Sequence, residues 1–545
     1  MTLQTLAKVS LLLPLVIASQ YGENHPPLQK DEDLVAAHFP DTDQTIFSPA
    51  FLSPETILAG FVNGTDGPTD DETLDYWARS ITDKHDWAHH HLADFTSEEG
   101  RSFPYVYLSK DSQAVSKDSP EKIRVWIQGG VHGDEPAGDQ AVLALLGKLD
   151  ANETWTASLL ERMDILLFPR YNPDGVSYFQ RTLASNLDPN RDHTKLARPQ
   201  TRETKRLLST FSPHIAIDMH EFTGTRLTSG RYKHGMDALI APGKNLNTHR
   251  DIRNISEALF AFGIAERLEA AGFRWESYFT IPFPGDSELT LVEAASDAKS
   301  GRNSFGLTQC IAILNEVRGI RLADQHFQRR VATALTMVSA ILDIALENAD
   351  EVYRTVENAI EEFISSDDEI VVTDYQNPTT RSVSFIDVTN GSLVQLPVAW
   401  LSTTPTMANL TRARPEAYLI PRAWSQLAAR LNDSGVIVET LEHEYRGAVE
   451  ALNITSASVA SAYYEGAIRV TVTTEAYRRE VRLPAGSFRV DTRQKNAALA
   501  FVTLEPENID SYVRFNLIPV KTGDEYPIFR VMESASMASR WSDEL

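Results

Sequence analysis

A histidine and a carboxylate lie three residues apart in a glycine-rich turn, in the stretch GGVHGDE at residues 129–135. The apolar run that precedes the turn, at 123–127, predicts a buried strand. After the turn, leucine and valine residues within 139–149 recur at the i, i+3, i+4 and i+7 spacing of an amphipathic helix. His132 and Glu135 therefore belong to a strand-to-helix turn, where both side chains can face one point, as two ligands of one zinc ion must.

A second predicted strand, at 215–219, ends in another histidine, His220. Two imidazoles and one carboxylate leave the fourth position of a zinc ion open for water or substrate. Two other histidines compete for the role of third ligand. His214 begins this strand instead of ending it, and His193 falls in a loop. We therefore predict that His220 is the third ligand.

A third predicted strand, at 311–315, ends in Glu316. A carboxylate at that position has the chemistry of a general base for a water molecule that zinc acidifies. A helix cap or a salt-bridge partner is the alternative role for such a residue. Two arginines in the intervening loops, Arg181 and Arg191, have planar guanidinium groups that hold a carboxylate by two parallel bonds or stabilise an oxyanion.

The elements that position these residues alternate from Tyr105 onward between short apolar strands and helices. This pattern predicts an α/β fold with a mixed, largely parallel sheet flanked by helices, in which ligands bind beyond the carboxyl ends of the strands. The strands are expected at 106–108, 123–127, 163–168, 215–219 and 311–314, and the helices at 139–149, about 198–211, about 254–271 and about 322–348.

The sequence predicts several regions along the chain. Residues 1–19 have the pattern of a secretory signal peptide, with Lys8 before an apolar run that ends in small residues. A leader or pro-like segment at 20–75, a catalytic domain at 76–350, a connector at 351–369 and a β-rich C-terminal domain at 370–545 are expected to follow. The stretch 76–95 is predicted to be helical, and its four histidines are interpreted as part of a solvated face.

Composition limits the function further. The net charge of −24, with no basic patch, excludes nucleic acid as a partner. No later run of apolar residues is long enough to predict a membrane span. Cys310 is the sole cysteine, so an intrachain disulfide is excluded. Seven glycosylation sequons support a secreted, extracellular glycoprotein: Asn63, Asn152, Asn254, Asn390, Asn409, Asn432 and Asn453.

Five motifs together resemble the carboxypeptidase A-like zinc metallocarboxypeptidases. They occur in the order typical of that family and extend over about residues 75–350. The motifs are His132-Gly-Asp-Glu135, Asn172-Pro-Asp-Gly175, Asp188-Pro-Asn190-Arg191, Asp218-Met-His220 and Glu316-Val-Arg-Gly319.

The resemblance implies a role for each matched residue. His132, Glu135 and His220 are expected to bind one Zn²⁺ per chain. Glu316 is implied as general base and acid, and Arg181 as the group that polarises the scissile carbonyl. Asn190 and Arg191 are implied to hold the terminal carboxylate of a peptide substrate, and Asp188 to accept a hydrogen bond from the ring of His132.

This chain also departs from the digestive members of that family. It has Asp134 where they have an arginine, and the loop at 300–306 lacks their tyrosine. Arg302, in that loop, is a candidate replacement contact for a carboxylate. Paired cysteines are absent too. These departures affect the expected substrate more than the expected metal.

The predicted function is a secreted zinc metallocarboxypeptidase that hydrolyses C-terminal residues from peptides. A zinc amidase or deacylase acting on N-acyl amino acids or cell-wall peptides is the alternative. A non-catalytic binding protein on the same scaffold is a third hypothesis. The presence of all three predicted ligands and of the predicted base favours an enzyme instead. The oligomeric state and the preferred C-terminal residue are not predicted.

Overall fold

The structure, a computed structural model, describes residues 19–111, 115, 121–224, 230–281 and 289–532. The predicted signal peptide lies outside these residues, except for Ser19. The strands are β1 (Ala88–Thr96), β2 (Ser102–Leu108), β3 (Ile123–Gln128), β4 (Met163–Phe168), β5 (Ile215–Thr223), β6 (Tyr232–His234), β7 (Ala238–Pro242), β8 (Trp275–Ser277), β9 (Phe279–Thr280), β10 (Thr290–Glu293), β11 (Ile311–Ile320), β12 (Ile370–Asp387), β13 (Ser392–Arg412), β14 (Ala417–Ile420), β15 (Glu439–Thr440), β16 (Tyr445–Tyr464), β17 (Ala467–Leu483), β18 (Phe488–Asp491) and β19 (Phe529–Val531).

Helices connect and cover these strands. They are α1 (Asp33–Ala36), α2 (Pro49–Leu52), α3 (Asp71–Thr82), α4 (Pro136–Ala151), α5 (Glu153–Arg162), α6 (Pro173–Ser177), α7 (Pro199–Phe211), α8 (Arg250–Ile255), α9 (Phe262–Ala270), α10 (Gly301–Gly306), α11 (Phe327–Glu347), α12 (Ala349–Ser365), α13 (Ser425–Asp433) and α14 (Ala497–Leu504). A π-helical segment, Ser256–Ala261, joins α8 to α9, so the predicted helix at 254–271 is one interrupted helical run.

An eight-stranded sheet carries the predicted site, with the order β1-β2-β4-β3-β5-β11-β7-β8. Its central neighbours β4, β3, β5 and β11 run parallel, whereas β1, β2 and β7 pair antiparallel with their neighbours towards the centre. All five strands predicted from the sequence belong to this sheet. The predicted fold class, a mixed and largely parallel sheet with flanking helices and a β-rich C-terminal region, is confirmed.

Both faces of this sheet are covered, which explains why its central strands are apolar without alternation. On one face, α4, α11 and α12 pack with the strands into the largest apolar cluster, which includes Leu145, Ile217 and Val338. On the other face, α7 packs over Trp126 and Phe168. The carboxyl ends of the strands remain free to present polar side chains.

The region predicted as a leader, 20–75, contributes to the core. Ile46, Ala50 and Phe61 belong to the largest apolar cluster. The side chain of Asp31 is fully buried and forms ion pairs with Arg318 and Lys233. Burial of this kind ties the N-terminal region to the strand that also carries Glu316.

The prediction of a helix over 76–95 is wrong in its second half. Helix α3 ends at Thr82, and 88–96 form β1, which pairs antiparallel with β2. Pairing with a neighbouring strand decides this segment over its local sequence preference. Two of its histidines have carboxylate partners: His85 lies 2.6 Å from Asp150, and His90 lies 2.7 Å from Asp75.

The C-terminal region contains two further sheets. A six-stranded sheet has the order β15-β18-β14-β19-β16-β17, and its outer hairpin, β16–β17, is long. A five-stranded sheet has the order β6-β12-β13-β10-β9. This second sheet combines strands from both sides of the predicted connector, because β6, β9 and β10 precede it and β12 and β13 follow it.

Among the described residues, no single helix has the length and apolar character to cross a bilayer. The pair α11 and α12, bent by 87° at their junction, meets that test together by length and composition only.

Candidate metal centre and active site

Three side chains converge at the carboxyl ends of β3 and β5. His132, Glu135 and His220 each offer a ligand atom, and these atoms lie within 4.8 Å of one another. The Nδ1 atom of His220 is 3.1 Å from Nδ1 of His132 and 2.9 Å from Oε2 of Glu135, while Nδ1 of His132 is 2.7 Å from Oε1 of Glu135. All three side chains are buried. This set of two imidazoles and one carboxylate fits a single zinc ion with an open fourth position.

The second ring nitrogen of each histidine faces a carboxylate. Nε2 of His132 is 3.2 Å from Oδ1 of Asp188, and Nε2 of His220 is 3.1 Å from Oδ1 of Asp218. The amide of Gln128 donates a hydrogen bond to the same oxygen of Asp218 at 2.9 Å. Such partners fix the ring orientation and leave both Nδ1 atoms available to a metal. The contact predicted for Asp188 is present, and Asp218 forms the equivalent contact on the other histidine.

The turn that carries His132 and Glu135 is held by close backbone packing. A Cβ atom at Gly133 would lie 1.9 Å from the carbonyl carbon of Gly175. No side chain fits there, so Gly133 permits the turn to rest on the Asn172–Gly175 segment. In that segment, the side chain of Asn172 accepts a hydrogen bond from the backbone N–H of Gly175 at 2.9 Å. The structure thus connects two of the sequence motifs directly.

Arg181 lies beside the three-ligand set. Its Nη1 atom donates to Oε1 of Glu135 at 3.0 Å, and its Nε atom donates to Oδ2 of Asp188 at 3.1 Å. Asp188 therefore contacts both a histidine of the set and this arginine. The negative charges of Asp188 and Glu135 more than offset the effect of burial and raise the pKa of Arg181, so the guanidinium stays charged.

Glu316 lies opposite His220, because β11 and β5 are parallel neighbours in which these two residues are paired. Its side chain is buried, and its Oε2 atom has no hydrogen-bond partner among the described residues. Burial raises the pKa of Glu316 to about 8, with a further contribution from the negative charge of Glu135. A carboxyl group in this condition is able to accept and release a proton near neutral pH.

Asn190 and Arg191 belong to a short helical turn, Pro189–Arg191, next to the metal set. The side-chain oxygen of Asn190 accepts a hydrogen bond from the backbone N–H of Gly301 at 2.7 Å, which joins this turn to α10. Nη1 of Arg191 donates to the backbone carbonyl of Asn190 at 2.7 Å. The rest of its guanidinium faces a cavity.

That cavity, of about 630 Å³, brings the predicted residues together. His132, Glu135, Arg181, Asn190, Arg191 and Glu316 all line it. His220 and Asp188 are not among its lining residues, but they contact Glu135 and His132, which are. Of the two competing histidines, His214 lies at the opposite end of β5 with Glu357 at 2.8 Å. His193 is buried, and neither of its ring nitrogens has a hydrogen-bond partner among the described residues.

Tyr278 and Asp134 modify the expectations for the substrate site, one by lining the cavity and the other by not lining it. Tyr278, between β8 and β9, lines the cavity, and burial together with the charge of Glu316 raises its pKa. Tyr278 lies outside the loop at 300–306 where a tyrosine was expected, and its distance of 38 residues from Glu316 gives no local signal in the sequence. Asp134, which replaces the arginine of the digestive enzymes, is buried and is not among the residues that line the cavity.

Known carboxypeptidases are similar to this chain in sequence. A profile of the zinc carboxypeptidase family matches residues 75–231. The chain is 52% identical over 530 residues to carboxypeptidase 2 of Trichophyton tonsurans, covering 97% of this chain and 98% of that protein. It is 51% identical over 530 residues to carboxypeptidase 2 of Trichophyton rubrum, with the same coverage. A metallo-carboxypeptidase structure from Burkholderia cenocepacia is 16% identical with a TM-score of 0.39, and the match covers 51% of this chain and 70% of that one.

The extent of these sequence matches shows that the chain belongs to the zinc carboxypeptidase family, whose members are metal-dependent peptide hydrolases. The family predicted from the five motifs is confirmed.

Proposed function

We propose that this protein is a secreted, zinc-dependent carboxypeptidase that removes C-terminal residues from peptides. The observation that carries the proposal is the convergence, at one cavity, of a three-ligand metal set, the buried carboxyl group of Glu316 and the guanidinium of Arg191, which has no salt bridge to a described residue. The names of the full-length relatives support the same activity.

His132, Glu135 and His220 would hold one Zn²⁺. When bound, this ion acidifies a water molecule, polarises a carbonyl group and opposes the rise in the pKa of Glu316. Asp188 and Asp218 keep the two imidazole rings oriented for that role.

The protein's own groups carry the proton and bind the substrate. Glu316 takes a proton from the attacking water and later passes it to the nitrogen of the leaving residue. Arg181 stabilises the negative charge that develops on the carbonyl oxygen. Asn190 and Arg191 bind the terminal carboxylate, which places the last peptide bond beside Glu316.

A pair of substrates tests this assignment. A blocked dipeptide with a free terminal carboxylate is compared with its C-terminal amide, with and without a zinc chelator. We expect rapid hydrolysis of the free acid alone, and loss of that activity with chelator that added Zn²⁺ restores. Equal rates for the acid and the amide would contradict a carboxylate-anchored carboxypeptidase and favour an amidase. Activity that survives complete removal of metal would contradict the zinc assignment.

Secretion is proposed on two observations. The N-terminal residues have the composition of a signal peptide, and the asparagines of all seven sequons are exposed. A shift in mass of the protein from culture medium on treatment with an N-glycosidase is expected. Retention of the protein inside the cells, with no such shift, would contradict this part of the proposal.

A further inference from the structure

The charged groups that line the cavity are mostly neutralised by described neighbours. Arg181 contacts Glu135 and Asp188, as described above. The remaining pairs each join one carboxylate of the cavity wall to one cation: Glu221 with Arg330 at 2.8 Å, Glu293 with Lys244 at 3.2 Å, and Asp297 with Lys299 at 2.7 Å.

Among the described residues of the wall, Arg191 and Arg302 are the cations without a salt bridge, and Glu316 is the carboxyl group without one. Neither arginine forms a salt bridge with a described residue within 4.0 Å. Arg302 is only 6% exposed and donates from Nη2 to the backbone carbonyl of Ala295 at 2.6 Å, while its Nε atom has no partner among the described residues. Burying a guanidinium is costly unless an anion compensates it. The site therefore offers two cationic groups to whatever fills the cavity.

Arg302 lies next to the groups that bind the terminal carboxylate. It occupies the first turn of α10, and the preceding residue, Gly301, donates its backbone N–H to Asn190. Arg191 and Asn190 suffice for one carboxylate, since a guanidinium and an amide together supply the donors that its oxygens need. Arg302 has no salt-bridge partner of its own among the described residues; Asp297 and Glu316 act on it only at longer range.

We propose that Arg302 binds the side-chain carboxylate of a C-terminal glutamate or aspartate, so that peptides with acidic C-terminal residues are the favoured substrates. This inference rests on the proposed carboxypeptidase function.

Three matched dipeptides that end in glutamate, glutamine or leucine test it. The wild-type enzyme is expected to show kcat/KM for glutamate roughly 10- to 100-fold above that for glutamine, the range that a hydrogen bond between charged groups supports. Arg302→Met keeps a similar side-chain length without the charge, and its loss of kcat/KM is expected to be at least tenfold larger on the glutamate peptide than on the glutamine peptide. Arg302→Lys should keep part of the preference.

Two outcomes would overturn the inference. A wild-type enzyme that cleaves the glutamine peptide as fast as the glutamate peptide has no acidic preference. A uniform loss on all three peptides in Arg302→Met, with zinc content and melting temperature unchanged, would instead assign Arg302 to the terminal carboxylate. Failure of the proposed function itself looks different, because the wild-type protein would then cleave none of the three.

A separate observation links the C-terminal region to the metal set. The hairpin of β16 and β17 turns at Glu465 and Gly466, which have φ angles of +48° and +75°. The left-handed conformation is unfavourable for a residue with a side chain, and it persists where surrounding contacts hold it. Glu465 has such contacts.

Glu465 is hydrogen-bonded to the loop that carries Asn190 and Arg191. Its Oε2 atom accepts a hydrogen bond from the backbone N–H of Asp188 at 2.7 Å, and its backbone carbonyl accepts one from Nζ of Lys195 at 2.8 Å. Asp188 in turn contacts the ring of His132 and the guanidinium of Arg181, and accepts a hydrogen bond from the backbone N–H of Asn190 at 2.8 Å.

We infer that Glu465 is a positioning residue: it fixes Asp188 and, through Asp188, the orientation of His132. The C-terminal region thereby contributes to the metal centre although it supplies no ligand. The residue touches neither the metal set nor the cavity wall, so its effect should appear first in metal affinity.

Zinc affinity measured without substrate, together with kcat/KM, tests this role. Glu465→Leu is expected to weaken zinc binding and activity by about tenfold, the lower end of the effect seen for groups that orient metal ligands. Glu465→Gln keeps an acceptor oxygen and should retain most of both. Tyr463→Ala, at a 77% exposed position of the same hairpin, is the matched control.

Unchanged zinc affinity in Glu465→Leu would overturn the inference. So would equal losses in Glu465→Leu and Tyr463→Ala, since that result indicates general damage to the hairpin. Because metal binding is measured directly, the test does not depend on which substrate the enzyme cleaves.

Discussion

Two buried carboxyl groups, Glu316 on β11 and Asp31 paired with Arg318 of β11, have opposite shifts of their pKa. Glu316 and Arg318 lie two residues apart and hence on one face of the strand. Burial raises the pKa of Glu316, which lacks a hydrogen-bond partner at Oε2 among the described residues. Asp31 also loses water through burial, but hydrogen bonds from Arg318 and Lys233, with the ring of His326 at 3.3 Å, lower its pKa far below the ordinary range.

The difference separates a reactive carboxyl group from a structural one. Asp31 receives two hydrogen bonds from Arg318, at 2.6 and 2.8 Å, and one from Lys233 at 3.0 Å. Its charge is fully compensated and its proton affinity is too low for proton transfer at neutral pH. Glu316 has an uncompensated site that faces a cavity. A buried carboxyl group indicates catalysis only when neighbouring cations do not neutralise it and it faces a cavity that a substrate can enter.

The largest effect is expected for Glu316→Gln, which removes the proton acceptor and keeps the shape. Activity should fall by roughly 10²- to 10⁴-fold, the usual contribution of general acid–base catalysis. Zinc content should be unchanged, because Glu316 is not a ligand. Glu361→Gln, the same exchange at an exposed position, serves as control. Near-normal turnover in Glu316→Gln would show that Glu316 is not the general base, and the functional contrast with Asp31 would then be wrong.

Asp31→Ala is expected to act on stability instead. It leaves Arg318 buried without its anion and Lys233 with Glu32 alone, and removing one partner of a buried ion pair typically costs about 3–5 kcal/mol. The free energy of unfolding of the catalytic region, from urea titration at pH 7, measures this loss. Asp33→Ala, an exposed acidic position two residues away, should have little effect. A small effect at Asp31 would mean that 20–75 is dispensable, as the prediction of a pro-like segment implies; we propose that the part from Asp31 onward is retained.

Arg181→Ala should lower turnover while zinc remains bound. Loss of one group that stabilises an oxyanion costs about 3–4 kcal/mol of transition-state stabilisation. Arg181→Lys keeps the charge without the planar pair of donors and should recover part of the rate. Steady-state kinetics beside zinc analysis distinguishes this from loss of metal, and full activity in Arg181→Ala would exclude the assigned role.

The smallest effect is expected in the pH dependence of the free energy of unfolding, which reports on Asp31. Because the pKa of Asp31 is lower in the folded than in the unfolded protein, its stabilising contribution is complete above the unfolded value of about 3.9 and declines as pH falls below it. The stability gap between wild type and Asp31→Asn should therefore be constant from pH 5 to 7 and shrink towards pH 3. A gap that widens on acidification would contradict the ion-pair account.

Much of this site was predictable from the sequence because its residues follow apolar runs that form strands, although β5 and β11 continue past His220 and Glu316 to Thr223 and Ile320. The runs before His132, His220 and Glu316 identify three strands of one parallel sheet, and such a sheet brings its carboxyl ends together. Family resemblance then supplied roles for residues in loops. A polar residue that follows an apolar run is therefore expected towards the carboxyl end of the sheet.

The residues that sequence analysis missed depend on long-range contacts. Tyr278, Glu465 and Asp31 reach the neighbourhood of β11 or the metal set from short strands, a hairpin turn and an irregular segment. None of these has a periodic pattern that predicts its partner. The strand at 88–96 was mistaken for helix for the same reason, since pairing with β2 determines it.

The five-stranded sheet has a practical consequence for expressing this protein. Because β10 pairs in parallel with β13, a chain cut after the connector would uncover the backbone edge of β10 and the apolar side chains of Leu291 and Phe279, which pack on Phe385 and Trp400. Unpaired strand edges beside exposed apolar surface promote aggregation. The catalytic half alone is thus a poor unit for production, and mutational scans aimed at its activity belong in the full-length chain.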